Sequence, residues 1–185
     1  MPNYRRYRVE GATYFFTLVT YDRSPFLCTN EARSLLREPI DKCRNIWPFV
    51  VDAIVLLPDH LHTMWTLPDG DTDYSRRWGW IKKEFTKAWI DGGHREGTVS
   101  LGASRKRQHG VFQPRFWEHL IRNEEDFVNH ADYLHYNPVK HGYVQRVADW
   151  PWSSFHQWVK KGIYPANWGV NDPARFGELT ATARE

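Results

Sequence analysis

Residues 49–67 constrain the fold more than any other part of the sequence. Two runs rich in β-branched, aliphatic and aromatic residues, 49–57 and 60–67, are separated only by Pro58-Asp59. Such runs are typical of β-strands, and Pro58-Asp59 is a turn signal. Because the connection is so short, the two strands are predicted to form an antiparallel hairpin.

Two further strands and two helices flank this hairpin. A run of β-branched and aromatic residues predicts a strand at 13–21. Apolar residues at helical spacing predict a helix with Asn30 as its N-cap, and Pro39 inside it predicts a kink or a break. A second helix is expected to begin at Asp73, and a fourth strand is expected at 116–121.

The order strand, helix, strand, strand, helix, strand predicts an α+β fold. This order is that of a ferredoxin-like βαββαβ antiparallel sheet with its helices on one face, and the other face is expected to be open to a partner. Asn123 is predicted to cap one more helix, which should end near Asn137 because Pro138 follows. Residues 149–185, rich in Trp and Pro, are expected to form an irregular arm and a mobile tail in the same structural unit.

The composition excludes several classes of protein. With 41% hydrophobic residues, 10 Trp, 9 Tyr and 10 Phe, the chain is not disordered. A net charge of +3 excludes a general basic coat for nucleic acid but allows a local basic groove lined with aromatics. Two cysteines without a C-x-x-C pattern exclude a disulfide framework and a structural zinc site built on paired cysteines. Without a signal peptide or a membrane-length apolar run, a cytoplasmic location is expected.

The histidine pair in the motif His60-Leu61-His62 is the strongest candidate for a metal site. Residues i and i+2 of a strand project from the same face, so both imidazoles can reach one divalent ion while Leu61 and Trp65 face the core. By itself the pattern also fits two ordinary histidines near a turn.

Tyr133 and Asn137 add the other half of a catalytic set. They lie four residues apart, one helical turn along the same side. Asn137 can supply a third ligand oxygen, and two imidazoles with one amide leave positions open on Mg²⁺ or Mn²⁺ for a phosphate oxygen. Tyr133 can then attack phosphorus and form a phosphotyrosine. The alternative nucleophile, Tyr136, lacks the four-residue spacing to Asn137, and an isolated Tyr133 would be read as a surface tyrosine.

Five segments extend this pattern over about residues 4–168. Together they resemble the REP-associated tyrosine transposases, a bacterial branch of the single-tyrosine HUH transposases. The segments are YRRYRVEGATYFFT at 4–17, LLPDHLHTMW at 56–65, FQPRFWEHLIRN at 112–123, DYLHYNPVKHG at 132–142 and DWPWSSFHQW at 149–158. The basic loop at 92–110 is longer than in that family, which favours a tolerated surface insertion over added DNA contacts.

The resemblance implies a single-stranded DNA endonuclease and strand transferase, with its catalytic domain at 1–148. Its substrate would be a REP, a short imperfect DNA hairpin with a tetranucleotide at its 5′ foot. By motif position, His60 and His62 are the HUH metal ligands, Asn137 takes the third ligand position and Tyr133 is the nucleophile. The product would be a 5′-phosphotyrosine and a free 3′-hydroxyl. A monomer is favoured over a dimer, and the protein would join the nucleoid when bound to DNA.

Basic and aromatic residues in three segments are candidate DNA contacts. An N-terminal basic-aromatic arm could pair with phosphates and stack on unpaired bases, although a frayed cationic terminus is an equal alternative. Lysines on the second helix could bind phosphates or simply face solvent. The candidates are Tyr4, Arg5, Arg6, Tyr7, Arg8, Lys82, Lys83, Lys87, Arg115 and Trp117.

Two other functions are compatible with the sequence. The chain could be a hairpin-binding module that does not cleave DNA. It could also be a metal-dependent nuclease that uses water as the nucleophile.

Overall fold

The computed structural model describes residues 6–105 and 109–170. In these ranges the chain forms four β-strands, five α-helices and two short 3-10 helices, the latter at Tyr21–Arg23 and Val147–Asp149. The strands and α-helices are β1 (Thr13–Val19), α1 (Asn30–Ile46), β2 (Val50–Leu56), β3 (His60–Thr66), α2 (Tyr74–Asp91), α3 (Leu101–Arg105), β4 (Trp117–Leu120), α4 (Glu124–Lys140) and α5 (Phe155–Lys160). No helix in these ranges is long and apolar enough to cross a membrane.

The strands form one antiparallel sheet in the order β2-β3-β1-β4. β2 and β3 make the predicted hairpin, closed by a hydrogen bond from the Leu57 N–H to the His60 carbonyl at 2.8 Å. Together with α1 and α2 this is the βαββαβ order, and the predicted ferredoxin-like α+β fold is confirmed.

The helices α1 and α2 cover one face of the sheet. Phe16 of β1 and Leu61 and Trp65 of β3 are buried in the cluster formed there. Trp65 stacks on Trp78 of α2, with ring centroids 4.1 Å apart. Leu61 and Trp65 therefore face the core, as predicted from the alternation of side chains along a strand.

The expectation that the opposite face is open is wrong, because α4 and the C-terminal arm cover it. Phe15 and Met64 of the sheet are buried there with Leu134 of α4 and Phe155 and Trp158 of α5. The adjacent residues Phe15 and Phe16 are both buried, so β1 is apolar on both faces and needs a cover on both. The arm also pairs with the edge of β2 through the Leu56 N–H and the Trp152 carbonyl at 2.9 Å.

Two predicted helix ends differ from the observed ones, and α1 is not broken at Pro39. α1 is capped by Thr29, whose hydroxyl accepts from the Ala32 N–H, and not by Asn30. α1 continues through Pro39, and α4 continues through Pro138 to Lys140. Both prolines are buried, so packing offsets the cost of a proline in a helix interior. That cost is about 3 kcal/mol and comes from the lost backbone hydrogen bond and the clash of the ring with the preceding turn. The predicted cap Asn123 of α4 is confirmed, and Asp73, predicted to begin the second helix, is the N-cap of α2.

The segment 92–110 contains α3 and is closed by a contact between Gly97 and Gly110. The Gly97 N–H donates to the Gly110 carbonyl at 2.8 Å. A Cβ on Gly110 would lie 2.1 Å from the Gly97 carbonyl oxygen, so only glycine fits this crossing. Lys106 and Arg107, part of the predicted basic stretch, lie outside the described residues.

Candidate active site

His60 and His62 lie together on the side of β3 that faces α4. Their ring centroids are 5.0 Å apart, and both residues are buried. Across the sheet His62 pairs with Thr17 of β1 and Val55 of β2, in the centre of the sheet. The alternation of the strand therefore brings the two imidazoles to one face, as predicted.

Each imidazole is held through its Nδ1 atom. Nδ1 of His60 is 2.7 Å from Oδ1 of Asp59, and Nδ1 of His62 is 2.9 Å from the hydroxyl of Thr17. Arg23 donates to the other oxygen of Asp59 at 3.0 Å. Burial raises the pKa of Asp59, but the hydrogen bonds from His60 and Arg23 outweigh burial and place that pKa below its usual value.

The opposite nitrogens of both rings are buried without a partner. Among the described residues, Nε2 of His60, Nε2 of His62 and both amide atoms of Asn137 have no hydrogen-bond partner. A buried polar atom left unpaired costs about 1–3 kcal/mol, so such a group calls for a ligand. Two imidazole nitrogens and one amide oxygen are a donor set that suits a divalent ion, and these residues fit the predicted metal site.

Tyr133 of α4 lies next to this pair. Its ring centroid is 5.4 Å from that of His62, and only 3% of the residue is exposed. Nζ of Lys140 donates to the Tyr133 hydroxyl at 3.2 Å and lies 4.8 Å from the centroid of the ring. The sequence analysis missed Lys140, although seven residues are two helical turns. The expected helix end at Asn137 had placed Lys140 outside the helix.

His141 is a second neighbour that the sequence analysis missed. It follows α4 directly, and its ring centroid is 5.2 Å from that of His60. Burial is the main cause that holds the pKa of His62 well below its usual value, and the neighbouring basic side chains of His60, Lys140 and His141 lower it further. His62 is therefore neutral at pH 7, which is the form of histidine that binds a metal.

Tyr136 is half-buried and packs with the residues that cover the second face of the sheet. It is one helical turn from Tyr133 along α4. Tyr133, whose ring adjoins His62, is thus the tyrosine placed next to the histidine pair.

A second group of potential metal ligands lies beside Phe15, at His119, Asp126 and His130. The rings of His119 and His130 are stacked, with centroids 4.3 Å apart and planes at 15°. Nε2 of His119 and Nδ1 of His130 each lie 2.9 Å from an Asp126 carboxylate oxygen. Burial raises the pKa of Asp126, but the hydrogen bond from His119 and further contacts lower it overall. Unlike His60 and His62, these imidazole nitrogens already have partners.

Two candidate DNA contacts of the N-terminal arm, Tyr4 and Arg5, lie outside the described residues. The guanidinium of Arg6 lies 4.3 Å from the centroid of the Phe116 ring. Tyr7 is 72% exposed and Arg8 is exposed, so both are accessible to a ligand.

The other candidates occupy different surroundings. Lys83 and Lys87 are exposed on α2, and Arg115 is exposed before β4. Lys82 is half-buried, and its ammonium donates to the carbonyl of Gln113 at 2.5 Å. Burial lowers the pKa of Lys82 to about 8. Trp117 is on the active-site side of the sheet, with its ring centroid 5.8 Å from that of Phe15.

Comparison with known proteins identifies the family. No protein-family model matches the sequence. The REP-associated tyrosine transposase of Escherichia coli is 45% identical over 168 residues, which are 91% of each chain. A relative from Haemophilus influenzae, named for the same family, is 45% identical over 174 residues, or 92% of this chain and 95% of that one.

A solved structure extends this similarity to three dimensions. It is that of a REP-associated tyrosine transposase bound to a REP hairpin, and it matches with a TM-score of 0.77 and 44% identity. The match covers 93% of this chain and 94% of the other. The sequence identity and the shared fold lead to one conclusion: this chain belongs to the family of REP-associated tyrosine transposases.

Proposed function

We propose that the protein is a metal-dependent single-stranded DNA endonuclease and strand transferase that acts at REP-type hairpins through a 5′-phosphotyrosine. The observation that carries the proposal is the pair of buried, unpartnered Nε2 atoms of His60 and His62 beside the ring of Tyr133. The REP hairpin bound to the solved relative supports the substrate class.

His60 and His62 would hold Mg²⁺ or Mn²⁺ through Nε2, with Asn137 as the third ligand through Oδ1. When bound, such an ion polarises the scissile phosphate and stabilises the negative charge that develops on it. We assign the ion to this set because its donor atoms lack partners, whereas those of His119 and His130 are paired with Asp126.

Tyr133 performs the covalent step. Its hydroxyl oxygen attacks phosphorus, and the bond from phosphorus to the 3′ oxygen breaks. The phenol loses its proton, and the departing oxygen gains one to become a free 3′-hydroxyl. Lys140 donates to the same phenolic oxygen at 3.2 Å, so its positive charge stabilises the phenolate. The phosphotyrosine is itself a phosphodiester, so the energy of the broken linkage is kept. A 3′-hydroxyl can therefore reverse the step or join a new strand without a nucleotide cofactor.

The substrate reaches Tyr133 only if neighbouring side chains move, since Tyr133 is 3% exposed. Lys140 contacts Tyr133 and His141 contacts His60, and both Lys140 and His141 are exposed to solvent. Their side chains can therefore move without opening the core.

The test is a covalent capture assay. Labelled single-stranded DNA containing a REP hairpin is incubated with Mg²⁺ or Mn²⁺ and the protein, and the products are separated on a denaturing gel. Wild type and the matched control Tyr136→Phe are expected to form a protein–DNA adduct, and Tyr133→Phe is expected to form none.

Other outcomes would support the other functions. Cleaved DNA without attached protein, together with full activity of Tyr133→Phe, would indicate a nuclease that uses water. Hairpin binding that persists in the His60→Ala/His62→Ala variant, with no cleavage by wild type, would indicate a binding module.

A further inference from the structure

A groove of about 830 Å³ lies on the α2 side of the molecule, away from the candidate active site. It is lined by α2, Arg6 and the segment that precedes β4. Its apolar part includes the rings of Phe112 and Phe116, and exposed Lys83 and Lys87 belong to its wall. The groove thus combines aromatic surface with positive charge.

Two cations hold the walls of this groove in place. Lys82 joins α2 to the segment before β4, because its ammonium donates to the carbonyls of Gln113 at 2.5 Å and Pro114 at 3.2 Å. Arg6 donates to the hydroxyl of Ser75 at 2.5 Å and lies over the ring of Phe116. The concave shape is therefore built by specific contacts between distant parts of the chain.

A second cavity, of about 450 Å³, lies beside the groove. It shares Pro114 with the groove and is lined by Arg23 and Arg115. Arg23 donates to Asp59 at 3.0 Å, and Asp59 is 2.7 Å from Nδ1 of His60. Arg23 is thus linked to His60 through Asp59, next to the start of β3.

The chemistry of the groove fits unpaired nucleotides better than a duplex. Proteins bind single strands through cations that follow the backbone and through apolar or aromatic surfaces that contact the exposed bases. A duplex stacks its bases inside and presents only phosphates and groove edges, so it cannot insert bases into a cavity. The volume is also within the range of about 300–1,000 Å³ that is typical of pockets for small ligands.

We propose that this groove binds an unpaired segment of the nucleic acid and that the Arg23–Arg115 cavity guides the strand from there to His60. The inference rests on the proposed function and adds the location of the single-stranded part. Lys83 and Lys87 then contact phosphates, and Arg6 and Phe116 form the surface on which bases lie.

The test compares two double variants in binding assays without divalent metal, so that no DNA is cleaved. Lys83→Ala/Lys87→Ala removes two charges from the groove. Lys160→Ala/Lys161→Ala removes two exposed charges at the end of α5 and serves as the matched control. The probes are a fluorescent oligothymidine of about 12 nucleotides, within the length that single-strand-binding domains cover, and a blunt duplex of the same length.

The groove variant is expected to bind oligothymidine about tenfold more weakly, with a salt dependence reduced by about 1.4 in the log–log slope, since two phosphate contacts are lost. Its affinity for the duplex and both affinities of the control variant should stay close to those of wild type. An equal loss for both probes, or no loss for oligothymidine, would overturn the inference.

The adduct assay of wild type distinguishes this result from the proposed function. If wild type forms the adduct but Lys83→Ala/Lys87→Ala binds oligothymidine as wild type does, only the role of the groove in binding single strands is rejected. The expected binding defect without an adduct rejects only the proposed catalysis.

Discussion

Thr17 and Asp59 determine which nitrogen of His62 and of His60 is available to bind a metal ion. Asp59 accepts from Nδ1 of His60, and Thr17 lies at hydrogen-bond distance from Nδ1 of His62. When Nδ1 carries the proton, the lone pair is on Nε2, the atom that lacks a partner in the described structure. Residues that orient a metal-binding histidine in this way strengthen metal binding although they do not touch the ion.

Thr17→Val is expected to weaken Mn²⁺ binding by about 10–100-fold, because valine keeps the shape of threonine and removes the hydroxyl. Thr17→Ser keeps the hydroxyl and should bind Mn²⁺ like wild type. Isothermal titration calorimetry measures the affinities, and circular dichroism verifies the fold. Equal affinity of Thr17→Val and wild type would show that Thr17 does not orient His62.

At the scale of the elements, the helix ends decide what surrounds the site. α4 passes through Pro138, and its last turn carries Lys140 to the hydroxyl of Tyr133. At the other end of α4, Asn123 accepts from the Asp126 N–H. Three acidic residues lie in the first turn of α4, where their negative charges interact favourably with the positive end of the helix dipole. The ends of α4 are therefore stabilised by local contacts, whereas its continuation through Pro138 depends on packing.

The cap of α1 can be tested with two neighbouring substitutions. Thr29→Ala is expected to lower the free energy of unfolding by about 1 kcal/mol, because the Ala32 N–H loses its acceptor. Asn30→Ala, which removes an exposed side chain inside the first turn, should change it by less than about 0.5 kcal/mol. Urea denaturation measures both values. A larger effect of Asn30→Ala would restore Asn30 as the cap.

At the scale of the whole molecule, the sheet lies between two layers that meet it through separate clusters of buried side chains. The C-terminal arm completes the second layer and occupies part of the β2 edge. A covered edge is unavailable for pairing with the same strand of another chain.

Buried neutral histidines should make this molecule less stable in mild acid. His135 of α4 lies 2.8 Å from the Ser154 hydroxyl of the arm, and burial lowers its pKa to about 3. An unfolded histidine titrates near pH 6.5, so below that pH the unfolded chain binds a proton that the folded chain does not. The free energy of unfolding that a buried neutral histidine contributes is therefore complete above about pH 6.5. It decreases towards pH 3, by about 1.4 kcal/mol per pH unit for each such histidine.

The measurement is urea denaturation between about pH 6.5 and 5.5, where ordinary carboxylates, with pKa values near 4, are still largely ionised. His135→Gln removes one contribution and should give a smaller decrease in the free energy of unfolding over this range than wild type gives. If the free energy of unfolding of His135→Gln decreased with pH as steeply as that of wild type, His135 would be protonated in the folded protein.

Much of the fold and part of the site were predictable because they depend on residues close together in sequence. The β2–β3 hairpin follows from a two-residue turn, and the common face of His60 and His62 follows from strand alternation. The caps Asp73 and Asn123 contact backbone atoms three residues away. The resemblance of five motifs to the REP-associated tyrosine transposases is confirmed by 45% identity over 91% of the chain.

The sequence by itself therefore determined the fold class, the family and the spacing of the candidate catalytic residues. The tertiary structure decided which side chains surround them. The cover on the second face and the contact of Thr17 with His62 join segments that are distant in sequence. The contact of Lys140 with Tyr133 requires α4 to continue through Pro138. Pro39 and Pro138 stay within their helices because burial of the surrounding apolar side chains outweighs one lost hydrogen bond in each. Such contacts depend on the packing of the whole chain, and no short-range pattern contains that information.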